Sequence, residues 1–419
     1  MKYYYDFIFL IIVCLFFYMV YLNNSIVKEG FQNIADDNSD KIDSNKTNKS
    51  NKTNKSNNTN TNKNRNKKYK RCDSLPLYGL QNKLFEKNNV EKTKTPSWDV
   101  YIPCGYNDVE DELLTIQPSN KDQVIYGISG CDSIVSKDHI WFLLKKKFGK
   151  DASKIMPSTW RLFNKDEMKD FKLSYNPDRT YILKKNVQRK EGLKLTRDYD
   201  DIINAYSTEN YRVVQEYIHN VFIVNKRKIN LRFYLLIVCR EGKVSGYLHR
   251  EGKCIYTNKD YDDKYLDFES NITSFNLDQS IYEKNPQTFD ELRTYLKAKG
   301  YDPEKLFEKS KEHLVNSIIA SEDKLCKIKN IYDNTSFQLF GVDIIFDDEL
   351  HPYLLEMNKG PDMSPKNDVD TDIKYRVLHD IFTSDTINVI ERENNLKNNF
   401  DKIWGTSRGT SCPPQPPPA

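Results

Sequence analysis

No two cysteines of this chain form a C-x-x-C pair, and none of the eight falls at a spacing that would hold zinc. Scattered cysteines of this kind suit reduced thiols in a cytosolic compartment better than a disulfide framework. No Ser/His or Cys/His set stands out as a nucleophilic centre, and the six histidines read as structural or incidental. Internal repeats are absent. Charge argues against nucleic acid as the main partner: residues 41–71 hold eleven Lys/Arg and one acid, so a chain of net +4 keeps −6 for everything else.

What the N-terminus does have is an apolar run. Phe7 to Leu22 is sixteen residues without a charge, Tyr3–Tyr5 extend it, and only Asp6 interrupts. A run of roughly sixteen to twenty such residues can just span a bilayer. No small-residue cleavage site follows, so residues 1–22 are expected to be an uncleaved anchor, with 3–22 in the membrane of a single-pass protein. Residues 23–73 read as a disordered Asn/Lys/Ser/Thr-rich spacer, too polar to recover its ordering entropy by burial. Its lysines follow the anchor and favour a cytoplasmic body. The N-x-S/T sequons at Asn45, Asn48, Asn51, Asn54 and Asn57 keep a luminal, glycosylated spacer as the alternative.

The folded body is expected over 74–392, with a tail over 393–419 that turns Gly/Pro-rich from 405. KDHIWFLLKKKFG, capped by Ser136 and stopped by Gly149, predicts an amphipathic helix. YILKK (181–185) and YRVVQEYI (211–218) predict strands, with NVQRKEGLKL a polar loop between them. KRKINLRFYLLIV predicts a long strand and GYLHREG its hairpin partner. Thr288 and Glu291 form a capping box over FDELRTYLKAK, Asp302-Pro303 opens a helix reaching about Lys329, and a last helix covers 371–389.

The chemistry concentrates in Gly341–Asn358, GVDIIFDDELHPYLLEMN. Two apolar runs around a turn-forming Asp347-Asp348-Glu349 predict a β-hairpin. A loop over Asp348–His351 pairs Asp347 with Pro352, Ile345 with Leu354 and Asp343 with Glu356, and alternation sets Asn358 on the same face. Facing carboxylates repel, which makes sense if a hard cation such as Mg²⁺ sits between them. A hairpin with solvated acids is the plain alternative. Lys184 ends a strand before a loop carrying Gln188, Arg189 and Lys190, and could reach a phosphate. Gln215, Glu216, Tyr217 and Ile218 end another strand that could read an adenine. Lys228, Asn230 and Arg232 share one face of the long strand.

In this order, the stretches SKDHIWFLLKKKFG, MPSTW, YILKKN, VVQEYI, KRKINLR, YLHREG, NITS and FGVDIIFDDELHPYLLEMNKGP resemble the tubulin–tyrosine ligase-like family. These are ATP-grasp amino-acid ligases, and the resemblance covers most of residues 74–390. It implies an α+β ATP-grasp fold that uses ATP and Mg²⁺. Asp343, Glu356 and Asn358 then correspond to the metal ligands, Lys184 to the phosphate-binding lysine and Gln215–Ile218 to the adenine hinge. Lys228 and Arg232 correspond to the residues that face nucleotide and substrate. The implied partners are a free amino acid and a protein carboxylate, on tubulin or another acidic tail. Two departures stand out. The family's Asp is Asn230 here, and Cys254-Ile255-Tyr256 stand where an arginine is usual. Lys253, or a basic residue of the 188–190 loop, is expected to supply that missing charge. A module that binds nucleotide or a partner without ligating is the other class the residues allow.

Overall fold

The alternation of KRKINLRFYLLIV does what a period of two requires. Ile229, Leu231, Phe233, Leu235 and Ile237 turn to one hydrophobic core, while Tyr234 and Leu236 turn to a second and Lys228, Asn230 and Arg232 to a cavity. The computed structural model describes residues 65–72, 76–77, 79–105, 108–186, 192–273, 276–391 and 397–405.

The described chain opens with β1 (Lys68–Lys70), α1 (Gly79–Lys87), β2 (Glu91–Lys92), β3 (Val100–Tyr101), α2 (Val109–Thr115) and β4 (Val124–Tyr126). Two helices follow, α3 (Asp132–Val135) and α4 (His139–Phe148). A smaller layer comes next: β5 (Thr159–Arg161), α5 (Lys165–Ser174), β6 (Tyr181–Lys184), β7 (Leu193–Thr196), α6 (Tyr199–Glu209) and β8 (Val213–Glu216). The chain then lays down β9 (Ile223–Val224), β10 (Arg227–Arg240), β11 (Lys243–His249) and β12 (Lys253–Tyr256). Helices α7 (Phe268–Asn271), α8 (Phe289–Ala298) and α9 (Pro303–Ser321) lead into β13 (Ser336–Phe346) and β14 (Pro352–Lys359). Helix α10 (Asp368–Phe382) and β15 (Phe400–Trp404) close the described fold.

The result is a mixed α/β fold on two sheets. The larger runs β15-β11-β10-β13-β4-β3-β1-β2, with β12 and β9 also on β10 and β14 on β13. One of its faces packs on α4, α8 and α9, through side chains such as Trp141, Phe289 and Leu314. Its other face packs on α1 and α10 through Phe85, Val377 and Phe382. The smaller sheet, β5-β8-β6-β7, is antiparallel and buries Trp160, Tyr181 and Val214 under Phe171 of α5 and Ile202 of α6.

Several expectations need correction. Strand β1 lies inside the stretch expected as spacer, because Tyr69 is buried and Asp99 accepts from the Lys68 N–H at 2.7 Å. The loop after β6 ends in β7, whose four residues pair with Tyr181–Lys184. Helix α4 begins at His139 rather than at a Ser136 cap, while Gly149 closes it as expected. Helix α9 stops at Ser321, not near Lys329. There the chain turns through Cys326 at φ +64°, whose N–H bonds to the Ser129 carbonyl at 3.2 Å. Helix α10 starts at Asp368, capped by Asn367, and ends at Phe382. The capping box on α8 is present in both halves.

The cysteine reading is corrected too. Cys72 is bonded to Cys104 and Cys239 to Cys326, across 32 and 87 residues of sequence, so partners that no local spacing reveals meet only in the fold. Cys131 and Cys254 stay as buried thiols. The single-pass expectation is likewise overturned: among the described residues no helix is long and apolar enough to cross a membrane. Residues 3–22 lie outside the described residues.

Gly130 gives this architecture a test. It sits at φ +79°, and a Cβ there would come within 2.1 Å of the Lys324 carbonyl oxygen. Gly130→Ala therefore adds both backbone strain and overlap with rigid backbone. It should lower the unfolding free energy by about 1–3 kcal/mol, read by urea denaturation.

Candidate active site

Four charged side chains lie in one transverse row of the large sheet. Lys253 on β12 stands opposite Arg232 on β10, Arg232 opposite Asp343 on β13, and Asp343 opposite Glu356 on β14. Directly opposed residues on one face are close neighbours, so two cations and two carboxylates meet in line. Arg232 clamps Asp343 with both arms of its fork, Nε to Oδ1 at 2.5 Å and Nη2 to Oδ2 at 2.9 Å. Gly341 leaves the space this needs: a Cβ there would lie 2.8 Å from Pro361 and 3.3 Å from the Arg232 side chain. Glu356 accepts from Asn358 Nδ2 at 3.0 Å and lies 3.7 Å from Lys137 Nζ. At the other end Lys253 donates to Asp370 at 2.6 Å, and Asp370 also pairs with Lys374 at 2.7 Å.

The hairpin that carries the carboxylates has an instructive register. Asp343 faces Glu356 as the sequence predicts, but nearer the turn Ile344 faces Leu354 and Phe346 faces Pro352, one residue away from expectation. The loop is one residue longer than expected, 347–351, and is held by Asp347 Oδ1, which accepts from the N–H groups of Glu349 and His351 at 3.1 and 2.8 Å. An irregularity between Asp343 and Ile344 absorbs the extra residue and restores the pairing where the acids sit.

Above this row a cavity of about 610 Å³ opens between the two sheets. Twelve of the residues singled out from the sequence line it: Lys184, Gln215, Glu216, Tyr217, Ile218, Lys228, Asn230, Arg232, Lys253, Asp343, Glu356 and Asn358. One end is walled by Pro157, Ile182, Leu193 and Leu355 beside the Gln215–Ile218 segment, an apolar slot. Gln215 is fixed there by its amide, which donates to Thr159 Oγ1 at 2.8 Å. Lys228 donates to the Tyr217 hydroxyl at 3.0 Å, and that hydroxyl donates to Asn271 Oδ1 at 2.9 Å. Asn230 donates to Thr273 Oγ1 at 2.9 Å, while its own Oδ1 is buried with no partner among the described residues.

Burial sets the electrostatics. It lowers the Lys228 ammonium to about 7, helped by repulsion from Lys184. Burial also lowers Lys184 to about 8, against the pull of Glu356 and together with Lys137. Lys253 is lowered by burial and by Lys374, with Asp370 opposing. Burial pushes the Asp343 carboxyl up; Arg232 offsets this only in part, and Glu356 adds to the rise. Burial works in the same sense on Glu356, but Lys137, Asn358, Lys184 and Arg232 together hold it below its ordinary value.

Burial depresses these lysines and raises the Asp343 carboxyl, so added anionic charge in the cavity would favour the protonated lysines. Three lysines, 137, 184 and 228, converge as phosphate oxygens require. The orphaned Asn230 Oδ1 is an acceptor suited to a hydroxyl or N–H of a ligand. Asp343, Glu356 and Asn358 offer only hard oxygen donors on one face, the set a divalent cation such as Mg²⁺ takes. The residues present fit both groups.

Sequence reasoning missed Lys137, Asp370 and Lys374. Lys137 carries no signal beyond its place before a helix. Asp370 and Lys374 belong to the first turns of α10, and only the fold shows that this helix end points at the cavity. Gln188, Arg189 and Lys190 lie outside the described residues.

Comparison with known proteins finds a family model and several relatives that match this chain. The model of the tubulin-tyrosine ligase family matches residues 115–396. A probable beta-tubulin polyglutamylase of Tetrahymena thermophila is 27% identical over 316 residues, covering 68% of this chain and 25% of that protein. A probable tubulin polyglutamylase of Caenorhabditis elegans is 26% identical over 267 residues, 61% of each chain. A tubulin glycylase of Drosophila melanogaster is 26% identical over 216 residues, 48% of this chain and 28% of its own length. The chain thus spans less than two thirds of each of these relatives.

The depressed lysines fix a pH dependence. Both hold their protons less tightly folded than unfolded, where the ordinary value is 10.5. Their contribution to the stability of the ligand-free protein is therefore full above 10.5 and is lost as pH falls through about 8 and about 7. Phosphate binding needs the charged forms. Mg·ATP affinity should fall about tenfold per lysine for each pH unit above these values. Calorimetry at pH 8.5 in buffers of different ionisation enthalpy should register proton uptake on binding, and Lys228→Met should remove part of it.

Proposed function

The chain belongs to the tubulin–tyrosine ligase family, and from that premise we propose that it is an ATP- and Mg²⁺-dependent ligase of the ATP-grasp type, joining a free amino acid to a protein carboxylate. The observation that carries the reading is the row Lys253–Arg232–Asp343–Glu356 at the floor of a cavity with an apolar slot at one end. The named activities of its relatives, addition of glutamate or glycine to tubulin, suggest the substrate class.

The residues divide the work along the cavity. Gln215–Ile218 and the apolar wall take the base, Asn230 and Thr273 lie where a sugar hydroxyl would be read, and Lys184 and Lys228 hold phosphates. Asp343, Glu356 and Asn358 would hold Mg²⁺, whose chemistry here is to neutralise phosphate charge. An acceptor carboxylate oxygen takes the terminal phosphoryl group of ATP, and ADP leaves. The amine of the incoming amino acid then attacks the acyl carbon of the mixed anhydride, phosphate departs with the bonding pair, and the amine's proton passes to solvent. Catalysis of this kind rests on positioning and fixed charge. Arg232 lies at the centre of the row, where phosphoryl oxygens and the acyl group would meet. Lys253 lies beside it, in the region where the family's arginine is expected.

One observation favours the second reading, nucleotide binding without ligation: Lys253 is already engaged by Asp370. A lysine shared in this way cannot clamp two oxygens as an arginine does. The expected enzyme is therefore slow. The protein is incubated with Mg·ATP, labelled glutamate, glycine or tyrosine, and cytoskeletal extract, and label is followed into protein. Lys253→Ala should lower the rate by about 10²–10³ with ATP affinity kept. Glu356→Gln should abolish the metal dependence of ATP binding. Protein that binds Mg·ATP yet labels nothing leaves the non-ligating reading in place.

A further inference from the structure

Outside the cavity, the smaller sheet carries a feature that the chemistry above does not use. Residues 137–185 contain thirteen Lys/Arg and six Asp/Glu, a net +7, whereas the whole stretch beyond the N-terminal basic run, 72–419, sums to −3. The charge is paired with exposed rings. Phe142, Phe163 and Tyr206 are 36%, 36% and 40% exposed, a rare condition for large side chains in this fold. They form a ladder with two arginines. Arg161 lies 4.6 Å over Phe142 and 5.9 Å from Phe163, and Arg212 lies 4.0 Å over Phe163 and 5.9 Å from Tyr206. Phe163 and Tyr206 are themselves 6.0 Å apart.

Both arginines are held from behind. Glu167 accepts from Arg161 Nε at 2.8 Å, and Asp138 lies 3.3 Å from Arg212. The guanidinium planes are thereby kept over the rings instead of sweeping solvent, which cuts the entropy lost when a ligand binds. Beside the ladder, the last turn of α4 exposes Lys145, Lys146 and Lys147, with Lys150 just beyond. The patch also adjoins the cavity along the chain. Lys137 lines the cavity next to Glu356, Asp138 follows it and grips Arg212, and the Arg212 N–H bonds to the carbonyl of Lys184 at 2.9 Å.

We propose that this aromatic–basic face, built from α4, the end of β5 with Phe163, α6 and Arg212 just before β8, is the docking track for an acidic polypeptide, the segment whose carboxylate enters the cavity. The proposal rests on the ligase reading and adds to it where the acceptor lies. Three features select such an occupant. Lysines on a helix end and fixed arginines match a run of carboxylates, arginine being suited to bidentate pairing. Exposed rings offer contact to the aliphatic stems of Glu side chains and to backbone. The acidic remainder of the body repels the same chain elsewhere, which confines it to one track. Stacked arginines and rings also suit single-stranded nucleic acid, but a net-acidic body disfavours a long polyanion that would lie across more than this face.

The test is anisotropy of a fluorescent deca-glutamate peptide and of an oligo-uridine of equal length, titrated with the full chain in low and high salt. Peptide should bind more tightly than the oligonucleotide, and binding should weaken with salt. Lys146→Glu/Lys147→Glu/Lys150→Glu reverses exposed charges only and should weaken peptide binding about tenfold, and Phe163→Ala should weaken it severalfold without changing charge. Calorimetry on the same variants should give an unchanged Mg·ATP affinity, which also certifies that they fold. Equal peptide binding by wild type and both variants, or no peptide binding by a wild type that binds Mg·ATP, overturns the track. Tighter binding of the oligonucleotide assigns the face to nucleic acid and overturns it as well. A wild type that binds peptide through this face but does not bind Mg·ATP instead removes the ligase reading and keeps the surface.

Discussion

The clamp of Arg232 on Asp343 is the contact from which the rest of the cavity takes its geometry. Taking either ion out of water alone is expensive, and breaking a buried pair by removing one partner costs about 3–5 kcal/mol. Each therefore requires the other. The pair also locks β10 against β13 at the one rung where their side chains carry opposite charge. Glu356 is then brought in on the next strand with no cation of its own in the row. It draws instead on Lys137 from the turn before α4. The floor of the cavity is thus a line of charge closed at one end by Lys137, from the turn between α3 and α4, and at the other by Asp370 of α10.

The same strand serves two environments. Along one face of β10, Lys228, Asn230 and Arg232 meet the cavity, and Tyr234, Leu236 and Val238 then enter the core beneath α10 and α1. The change of character falls within two residues, with no break in the ladder. Along β10 the cavity takes three polar side chains directly from a strand. The smaller sheet supplies the opposite wall through Lys184 and Gln215, while its far side packs on its own helices.

Much of this was legible because the informative signals are local. Alternation in KRKINLR put Lys228, Asn230 and Arg232 on one face, and the spacing from Asp343 to Glu356 was enough to oppose them even though the turn register was off by one. The capping box at Thr288 and Glu291 depends on four residues and was read correctly. What failed was non-local. The two disulfides join residues 32 and 87 apart, and the end of α9 is set by contacts with Ser129. Strand β1 is polar in sequence and becomes a strand only through its neighbours β2 and β3. Asp370 looks like an ordinary first-turn acid until the helix is placed against the cavity.

The division of labour between the two sheets has a kinetic side. Strand β10 is flanked over much of its length by β11, β12 and β13 and buried on both faces, so its amides will exchange with solvent only when the whole domain opens. Arg232 and Asp343, paired across this ladder, therefore sit on the most protected strands of the fold. The four-stranded sheet has a core of only nine buried apolar residues, and its edges are short. Fewer buried apolar side chains hold that wall than hold the floor, so it is the side of the cavity expected to open first.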